Sequence, residues 1–311
     1  MINLYEKFCT LNRTIKNAQT IIKSTGIIKA YYGISKEGFF RVSFLSSKEI
    51  GIKELTKNIN IIQGYSSDNN YWTCFDLHDD NLLQVFCTFG EDLISCIFEE
   101  QDEKHAVTQL KNRYRTWVAL FKKNRNTLSQ EKLKGLFGEL YFLKNFMIGK
   151  YGVEDSVKAW SGPELYNKDF SINETWYEIK TINPISAVVK ISSIQQLSSE
   201  YEGNLVIIKA ENMSEAYKGK DSSINEIVQY IISNIKQNDL KDLFLDKLLN
   251  AGFDFSDEGG NIKYQVMNLE FYIVNKEFPT LRETDIKNKA INNVSYELVI
   301  KLIEDFLEKK S

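Results

Sequence analysis

Histidine and cysteine are scarce in this chain, and each shortage argues against a class of site. Two histidines among 311 residues leave little material for a Ser-His-Asp triad, and no G-x-S-x-G sequence occurs. His78, among Asp76, Asp79 and Asp80, could bind a metal ion or form a polar turn. The four cysteines show no C-x-x-C spacing, which argues against a disulfide scaffold and a thiolate zinc site. We therefore predict that the cysteines are reduced residues of the core.

Long apolar runs are also absent. No stretch approaches the length of a membrane span, and the N-terminus carries charge where a signal peptide needs an apolar segment. The sequence therefore predicts a cytoplasmic protein with no membrane contact. Hydrophobic residues make up 43% of the chain, which is ample for a packed core, and the length suits two domains or one large elaborated domain.

An excess of positive charge is missing as well, because the formal net charge is −3. A nucleic-acid-binding domain is normally strongly basic, so any such binding must be local. The strongest local candidate is the segment 104–125, which holds seven Lys or Arg residues and no acidic residue. On a helix, Lys104, Lys111, Arg115 and Lys122 share a narrow sector that could follow a phosphate backbone. The same pattern is typical of a solvated helix face, and both interpretations stay open.

Acidic candidates for a reaction centre lie in the segment 168–182, KDFSINETWYEIKTI. Its polar and apolar residues alternate, which predicts a β-hairpin with Asn173-Glu174 as the turn. With a two-residue turn, paired positions sum to 347, so Asp169 lies opposite Glu178. Like charges in that position repel, which suggests that a cation lies between them. A three-residue loop is the alternative, and it would shift the register by one residue.

A helix is predicted from Ser129, which has the character of an N-cap. Glu139 lies at the margin of the apolar stripe of this helix, so it either extends into solvent or points into a polar pocket. Gly135 and Gly138 occupy the helix interior, where each costs about 1 kcal/mol relative to alanine. Such glycines usually mark close approach of another backbone, so we expect this helix to pack tightly.

The predicted elements follow a recognisable order. A helix with Glu139 in GLFGELYFL precedes a short strand ending at Trp160, an Asp-bearing strand, a Glu-x-Lys strand, a helix and a buried strand. This order resembles the αβββαβ core of the PD-(D/E)XK nuclease superfamily. More narrowly, GLFGELYFL followed by KAWSGPELYNKDF and YEIKTI resembles the bacterial family of PD-(D/E)XK motif proteins, which is often associated with defence against foreign DNA. The resemblance covers about 128–210.

The resemblance implies a restriction-endonuclease-like α/β fold with a mixed central sheet. We expect a β-rich N-terminal region at 1–125 that ends in the basic helix. The nuclease core then occupies 126–210, and a mostly helical region at 211–311 completes it.

The resemblance also implies an active site. Asp169 and Glu178 would bind Mg²⁺, or Mn²⁺ as a substitute, with the carbonyl of Ile179 as a third ligand. Lys180 would orient the attacking water and offset charge on the phosphate. Glu139 would complete the site, either through a water or as a ligand of a second ion.

The resemblance also bears on a glutamine near the substrate and on the residue before Asp169. Gln195, after the hairpin, matches a position where many members place a polar residue near the scissile strand, and Gln196 is the competing choice. Asp169 follows Lys168, where the name of the superfamily has a proline. All four chemically required groups are nevertheless present.

The implied function is metal-dependent cleavage of DNA by an endodeoxyribonuclease in bacterial defence. A double-strand cut usually uses two active sites, so a homodimer is expected, and a companion ATPase, helicase or methyltransferase is a further expected partner. The alternative from another class is a non-catalytic scaffold or binding module that retains the nuclease fold within a multi-protein defence complex.

Overall fold

The computed structural model divides into two compact units, Met1–Asn126 with Lys236–Leu249 and Phe253–Asp257, and Thr127–Ile235 with Asn250–Gly252 and Glu258–Ser311. The residues that it describes are 2–22, 27–53, 56–66, 68–98, 100–121, 128–164, 167–214, 216–217, 222–255, 258–288, 290–291 and 294–310. Residues 309 and 310 are described by their backbone alone. In these ranges no helix combines the length and the apolar character that crossing a membrane requires.

The N-terminal part of the chain is rich in strands, as predicted. Its elements are α1 (Leu4–Cys9), β1 (Ala18–Ile21), β2 (Lys29–Ile34), β3 (Phe40–Ser46), β4 (Ile59–Tyr65), β5 (Tyr71–Leu77), α2 (Leu83–Ser95) and α3 (Glu103–Phe121). The strands form one antiparallel sheet in the order β1-β2-β3-β5-β4.

The remainder of the chain adds four helices and eight strands within its described residues. They are α4 (Gln130–Phe142), which continues through a π-helical turn (Leu143–Met147) into α5 (Ile148–Ala159), then β6 (Phe170–Ile172), β7 (Thr175–Ile182), β8 (Val188–Ile191), β9 (Gly203–Asn212), β10 (Ser222–Ser223), α6 (Ile224–Asn234), α7 (Asn238–Asn250), β11 (Lys263–Val274), β12 (Tyr296–Val299) and β13 (Leu307–Lys310). The helix α7 belongs mostly to the first unit, and the other elements belong to the second.

The central sheet of the second unit is mixed, which confirms the predicted α/β fold. Its strand order is β10-β11-β9-β7-β6, with β13 also paired to β11. The strands β7 and β9 are parallel, and the other pairs are antiparallel. The strands β8 and β12 form a separate antiparallel pair.

The predicted hairpin is confirmed in its register. Residues 170–172 pair with residues 177–175, so paired positions sum to 347 and leave Asn173 and Glu174 as the turn. Asn173 has a φ of +53°, a left-handed conformation that asparagine tolerates better than most other residues. A turn of this hand fits the twist of the two strands, which explains why the short Asn-Glu loop closes the hairpin.

Two elements of the predicted order are wrong. The strand expected to end at Trp160 is the end of α5, and Trp160 alone forms an isolated bridge to Phe170. The helix expected after the hairpin is β8 followed by one 3₁₀ turn at Ile194–Gln196. Val189 and Ile191 are buried at alternate positions, as in a strand. The strand forms because β8 pairs with β12. That partner lies far along the chain, so local periodicity could not reveal it.

The start and the packing of α4 agree with the sequence in most respects. Ser129 caps the helix, because its side chain accepts a hydrogen bond from Lys132 N. A β-carbon on Gly138 would lie 1.8 Å from Thr181 Oγ1 on β7. A β-carbon on Gly135 would meet no described atom within 4 Å. The expected close packing is therefore confirmed at Gly138 and wrong at Gly135.

The cysteines differ in their exposure. Cys74, Cys87 and Cys96 are free and buried, as predicted, whereas Cys9 is free and exposed. The short helix α1 buries one face through Leu4 and Phe8, so its last residue, Cys9, lies outside that face.

The contact between α4 and β7 predicts opposite effects for two similar substitutions. Gly138→Ala should lower the free energy of unfolding by about 1–3 kcal/mol, because the added methyl overlaps Thr181. The matched control Gly135→Ala should raise it by about 0.5–1 kcal/mol, because alanine is the better helix former and the space is open. Urea unfolding of both variants measures the difference.

Removal of the overlapping hydroxyl should rescue the first variant. In the Gly138→Ala background, Thr181→Ala should restore most of the lost stability. Similar effects of the two glycine substitutions would show that α4 does not approach β7 as described.

Candidate functional site

Four ionisable side chains predicted from the sequence come together in the second unit. Glu139 lies on α4, Asp169 directly precedes β6, and Glu178 and Lys180 lie on β7. The alternation of side chains along a strand places Glu178 and Lys180 on the same face. The hairpin brings Asp169 beside them, and its Oδ2 accepts a hydrogen bond of 2.7 Å from Ile179 N.

Glu139 reaches the same place from the helix. Its Oε2 accepts a hydrogen bond of 2.7 Å from Trp160 Nε1. A β-carbon on Gly162 would lie 2.6 Å from that oxygen and 3.1 Å from Asp169 Oδ1. The two carboxylates thus border one narrow space that glycine leaves open, and Glu139 points into a polar pocket.

Glu178 is the most deeply buried of the acids, with only 1% of its surface exposed. Its Oε1 forms an ion pair of 2.8 Å with Lys180 Nζ and has no other hydrogen-bond partner among the described residues. Lys180 Nζ also donates a hydrogen bond of 3.0 Å to Gln196 Oε1. A carboxylate oxygen has two lone pairs, so this buried oxygen can also accept a further donor or bind a cation.

Burial disfavours the charged form of all three acids. The pKa of Glu178 is raised to about 8 by burial and by the charge of Asp169, although Lys180 opposes the shift. Burial and then Asp169 raise the pKa of Glu139 well above its ordinary value. Burial also raises the pKa of Asp169, against the effect of Lys180. For Lys180, burial opposes the charge, but the neighbouring carboxylates outweigh it and raise the pKa.

This set of donors suits a hard divalent cation. Glu178 Oε1 and Asp169 Oδ1 are carboxylate oxygens, and among the described residues Glu178 Oε1 has no hydrogen-bond partner beyond its ion pair with Lys180. Across the described residues, no three His, Cys, Asp or Glu side chains form a ready-made metal centre. Mg²⁺ usually takes only one or two carboxylates, keeps several waters and binds substrate phosphate. The residues therefore fit an ion of this kind.

Lys168 is a contributor that the sequence did not reveal. Its Nζ donates hydrogen bonds of 2.7 Å to the carbonyls of Gln195 and Gln196 and of 3.0 Å to that of Ser198. The same ammonium lies 4.0 Å from the centre of the Trp176 ring. Burial lowers the pKa of Lys168 to about 8, against the effect of the nearby carboxylates. Its partners lie 27 to 30 residues later in the chain, so no local pattern could have signalled them.

The two glutamines that the sequence left open have different surroundings. Gln196 Oε1 accepts hydrogen bonds from Lys180 Nζ and, at 2.8 Å, from Ser192 N. Gln195 Nε2 donates a hydrogen bond of 3.0 Å to Glu283 Oε1. Gln196 is therefore the glutamine whose side chain touches the ionisable cluster.

The residues of the basic row on α3 belong to the first unit. Lys111 is half-buried and Arg115 is exposed, while Lys122 lies outside the described residues. Arg113, from the same basic segment, is buried and pairs with Asp242 at 2.7 Å. Its charge is thus neutralised within the unit, and Arg113 is not one of the residues of the predicted row.

The surroundings of His78 correspond to a polar turn. Its ring stacks on Phe39 with centroids 4.4 Å apart. Asp76 and Asp80 each pair with an arginine. Both carboxylates thus have cationic partners within the protein.

The raised pKa of Glu178 predicts a pH-dependent stability. Because its pKa is about 8 in the fold and about 4.5 ordinarily, its stabilising contribution is present at low pH and is lost as the pH rises toward 8. Glu178→Gln cannot ionise. In metal-free buffer the variant should gain stability over the unsubstituted protein by up to about 1 kcal/mol per pH unit between about pH 5 and pH 8.

Urea unfolding at several pH values with a chelator present measures this difference. Glu174→Gln, an exposed acid in the turn of the same hairpin, is the matched control, and its curve should parallel that of the unsubstituted protein. A parallel curve for Glu178→Gln would mean that Glu178 ionises normally in the fold.

Comparison with known proteins extends the resemblance beyond these residues. A family model described as "Putative PD-(D/E)XK family member, (DUF4420)" matches residues 2–301. No curated protein and no solved structure matches the chain. The matched range includes the N-terminal sheet as well as the hairpin and α4. The chain belongs to this family of PD-(D/E)XK proteins.

Proposed function

We propose that this protein is a metal-dependent nuclease that hydrolyses phosphodiester bonds of DNA. The observation that carries the proposal is the convergence of three carboxylates and one lysine, with Glu178 Oε1 buried beside Lys180 Nζ. The two-residue turn of the hairpin sets the register that brings Asp169 close to Glu178 and Lys180, and this register supports the proposal. Membership of a PD-(D/E)XK family supports it independently, because such proteins typically use divalent metals.

In this proposal, Asp169 and Glu178 hold Mg²⁺, with Mn²⁺ as a substitute and the carbonyl of Ile179 as a further ligand. Glu139 completes the site through a water or as a ligand of a second ion. When bound, the ion supplies Lewis acidity at the phosphate and lowers the pKa of water.

The remaining chemistry belongs to Lys180. Its ammonium orients the attacking water and balances the negative charge that develops on the phosphate oxygens. Glu178 and Gln196 both contact Lys180 Nζ, so they limit the directions in which it can point. An in-line attack of water then breaks a P–O bond with inversion at phosphorus.

Cleavage of plasmid and phage DNA with Mg²⁺ or Mn²⁺ tests the proposal. Lys180→Ala should lower the cleavage rate at least about a hundredfold, because it removes the group that orients water and balances charge. The matched control is Lys190→Ala, which removes an exposed lysine from β8 and should leave the rate unchanged.

Three outcomes are informative. Metal-dependent cleavage that only Lys180→Ala abolishes supports the nuclease. Cleavage that persists in Lys180→Ala at the original rate would show that the active site lies elsewhere. Absence of cleavage under every metal condition, with and without companion proteins, would favour the non-catalytic scaffold.

We also propose that α3 contributes to DNA binding through Lys111 and Arg115. Each phosphate contact by a cation releases counterions and adds about 0.9 to the slope of log affinity against log salt. Lys111→Ala with Arg115→Ala should therefore reduce the slope by about 2, as measured by fluorescence anisotropy over a salt series.

A charge-matched control separates this contact from general electrostatics. Lys36→Ala with Lys57→Ala removes two exposed lysines from the same unit and should leave the slope nearly unchanged. Equal slopes for the two double variants would identify the face of α3 as a solvated surface.

The biological setting that we propose is defence against foreign DNA. A cut through both strands usually uses two active sites, which a homodimer would provide. A companion ATPase, helicase or methyltransferase would supply strand movement or discrimination of modified DNA. Sedimentation of the protein with and without DNA, and cleavage of modified and unmodified phage DNA, test these partners.

A further inference from the structure

The ammonium of Lys168 is enclosed by the backbone of one turn. An ammonium has three N–H donors, and Lys168 directs them to three carbonyls of the segment 195–198 at 2.7 to 3.0 Å. Lys168 directly precedes Asp169, so these bonds connect the start of the hairpin to the turn that carries Gln196. Hydrogen bonds from a charged donor are stronger than those between neutral groups.

The ring of Trp176 packs against the Lys168 ammonium. The Lys168 ammonium lies 4.0 Å from the centre of its ring, within the range of a cation–π interaction. A β-carbon on Gly203 would lie 2.2 Å from ring atoms of Trp176, so the ring packs against the backbone of β9. Its Nε1 also donates a hydrogen bond of 2.9 Å to Tyr201 O. The ring is therefore fixed, and it gives Lys168 a rigid surface.

The turn that Lys168 binds also contacts Lys180. Lys168 holds the backbone carbonyl of Gln196, while the side chain of Gln196 accepts hydrogen bonds from Lys180 Nζ at 3.0 Å and from Ser192 N at 2.8 Å. If the turn shifted, the carboxamide would lose its position and Lys180 would keep only its ion pair with Glu178. A long lysine side chain has many rotamers, so its direction depends on such contacts.

We propose that Lys168 is a positioning residue that clamps the turn 195–198 against Trp176 and thereby fixes Gln196 and the direction of the Lys180 ammonium. Its contribution to a reaction rests on the proposed nuclease function, but the clamp itself does not. Lys168 acts through Gln196 and does not contact DNA.

Hydrogen exchange at the Ser192 amide tests the clamp without any assay of activity. In Lys168→Met the amide should exchange at least about tenfold faster, approaching the rate in Gln196→Ala, because the carboxamide no longer holds it. Lys190→Met, at an exposed lysine of β8, is the matched control and should leave the rate unchanged. Lys168→Arg, which keeps the charge but spreads its donors in a plane, should give an intermediate rate.

Kinetics and binding then test the contribution to the reaction. Lys168→Met should lower kcat tenfold to a hundredfold with KM within about threefold, and Gln196→Ala should add little to it, because both act on Lys180. Lys168→Arg should recover part of kcat. DNA affinity and its salt dependence should match those of the unsubstituted protein, because Lys168 contacts no phosphate.

These measurements distinguish the clamp itself from its contribution to the reaction. Unchanged exchange at Ser192 in Lys168→Met would overturn the clamp, and so would a salt slope lowered by about 1, which identifies a phosphate contact. Faster exchange with unchanged kcat would overturn the positioning role. Faster exchange in a protein that never cleaves DNA would support the clamp and overturn the nuclease function.

Discussion

The crowding of negative charge around one lysine is the constraint on which the candidate site depends. Glu139, Asp169 and Glu178 lie in a partly dehydrated region where Lys180 is their shared cation. Lys180, joined by Lys168 at Asp169 and Glu178, favours the charged form of the acids, but burial outweighs this effect and raises the pKa of each acid. Such an arrangement lowers the stability of the protein alone, and it is retained where a cation or a reaction uses it. The fold holds these groups together against their repulsion.

Backbone packing is what resists this repulsion. Gly138 lets α4 approach Thr181 on β7, and Gly162 leaves room for two carboxylates side by side. On the same sheet, Gly203 lets Trp176 lie against β9. A side chain at any of these positions would overlap a neighbour, so the close approach of helix and strands depends on residues that carry no chemistry. The ionisable side chains are therefore positioned by the packing around them.

Hydrogen bonds also orient the ionisable side chains of the candidate site. Trp160 donates to Glu139, Ile179 N donates to Asp169, and Gln196 accepts from Lys180. Each contact orients one side chain of the ionisable cluster through a partner outside that cluster.

Much of this site could be predicted from the sequence, because its determinants are local. Alternation of polar and apolar residues and a two-residue turn determined the hairpin and its register, which bring Asp169 to Glu178 and Lys180. The N-cap at Ser129 and the glycine at 138 predicted the start and the packing of the helix that carries Glu139. These features depend on neighbours only a few residues apart, where backbone geometry is regular.

Only the tertiary structure decided which distant residues complete the site. The pairing of β8 with β12 converted an expected helix into a strand. The turn held by Lys168 brought Gln196, rather than Gln195, to Lys180. Hydrogen bonds and strand pairs across long separations depend on the packing of whole elements, and no periodicity in the sequence records them. The sequence by itself therefore determined the candidate ionisable residues and their hairpin, whereas the tertiary structure decided which residues surround and orient them.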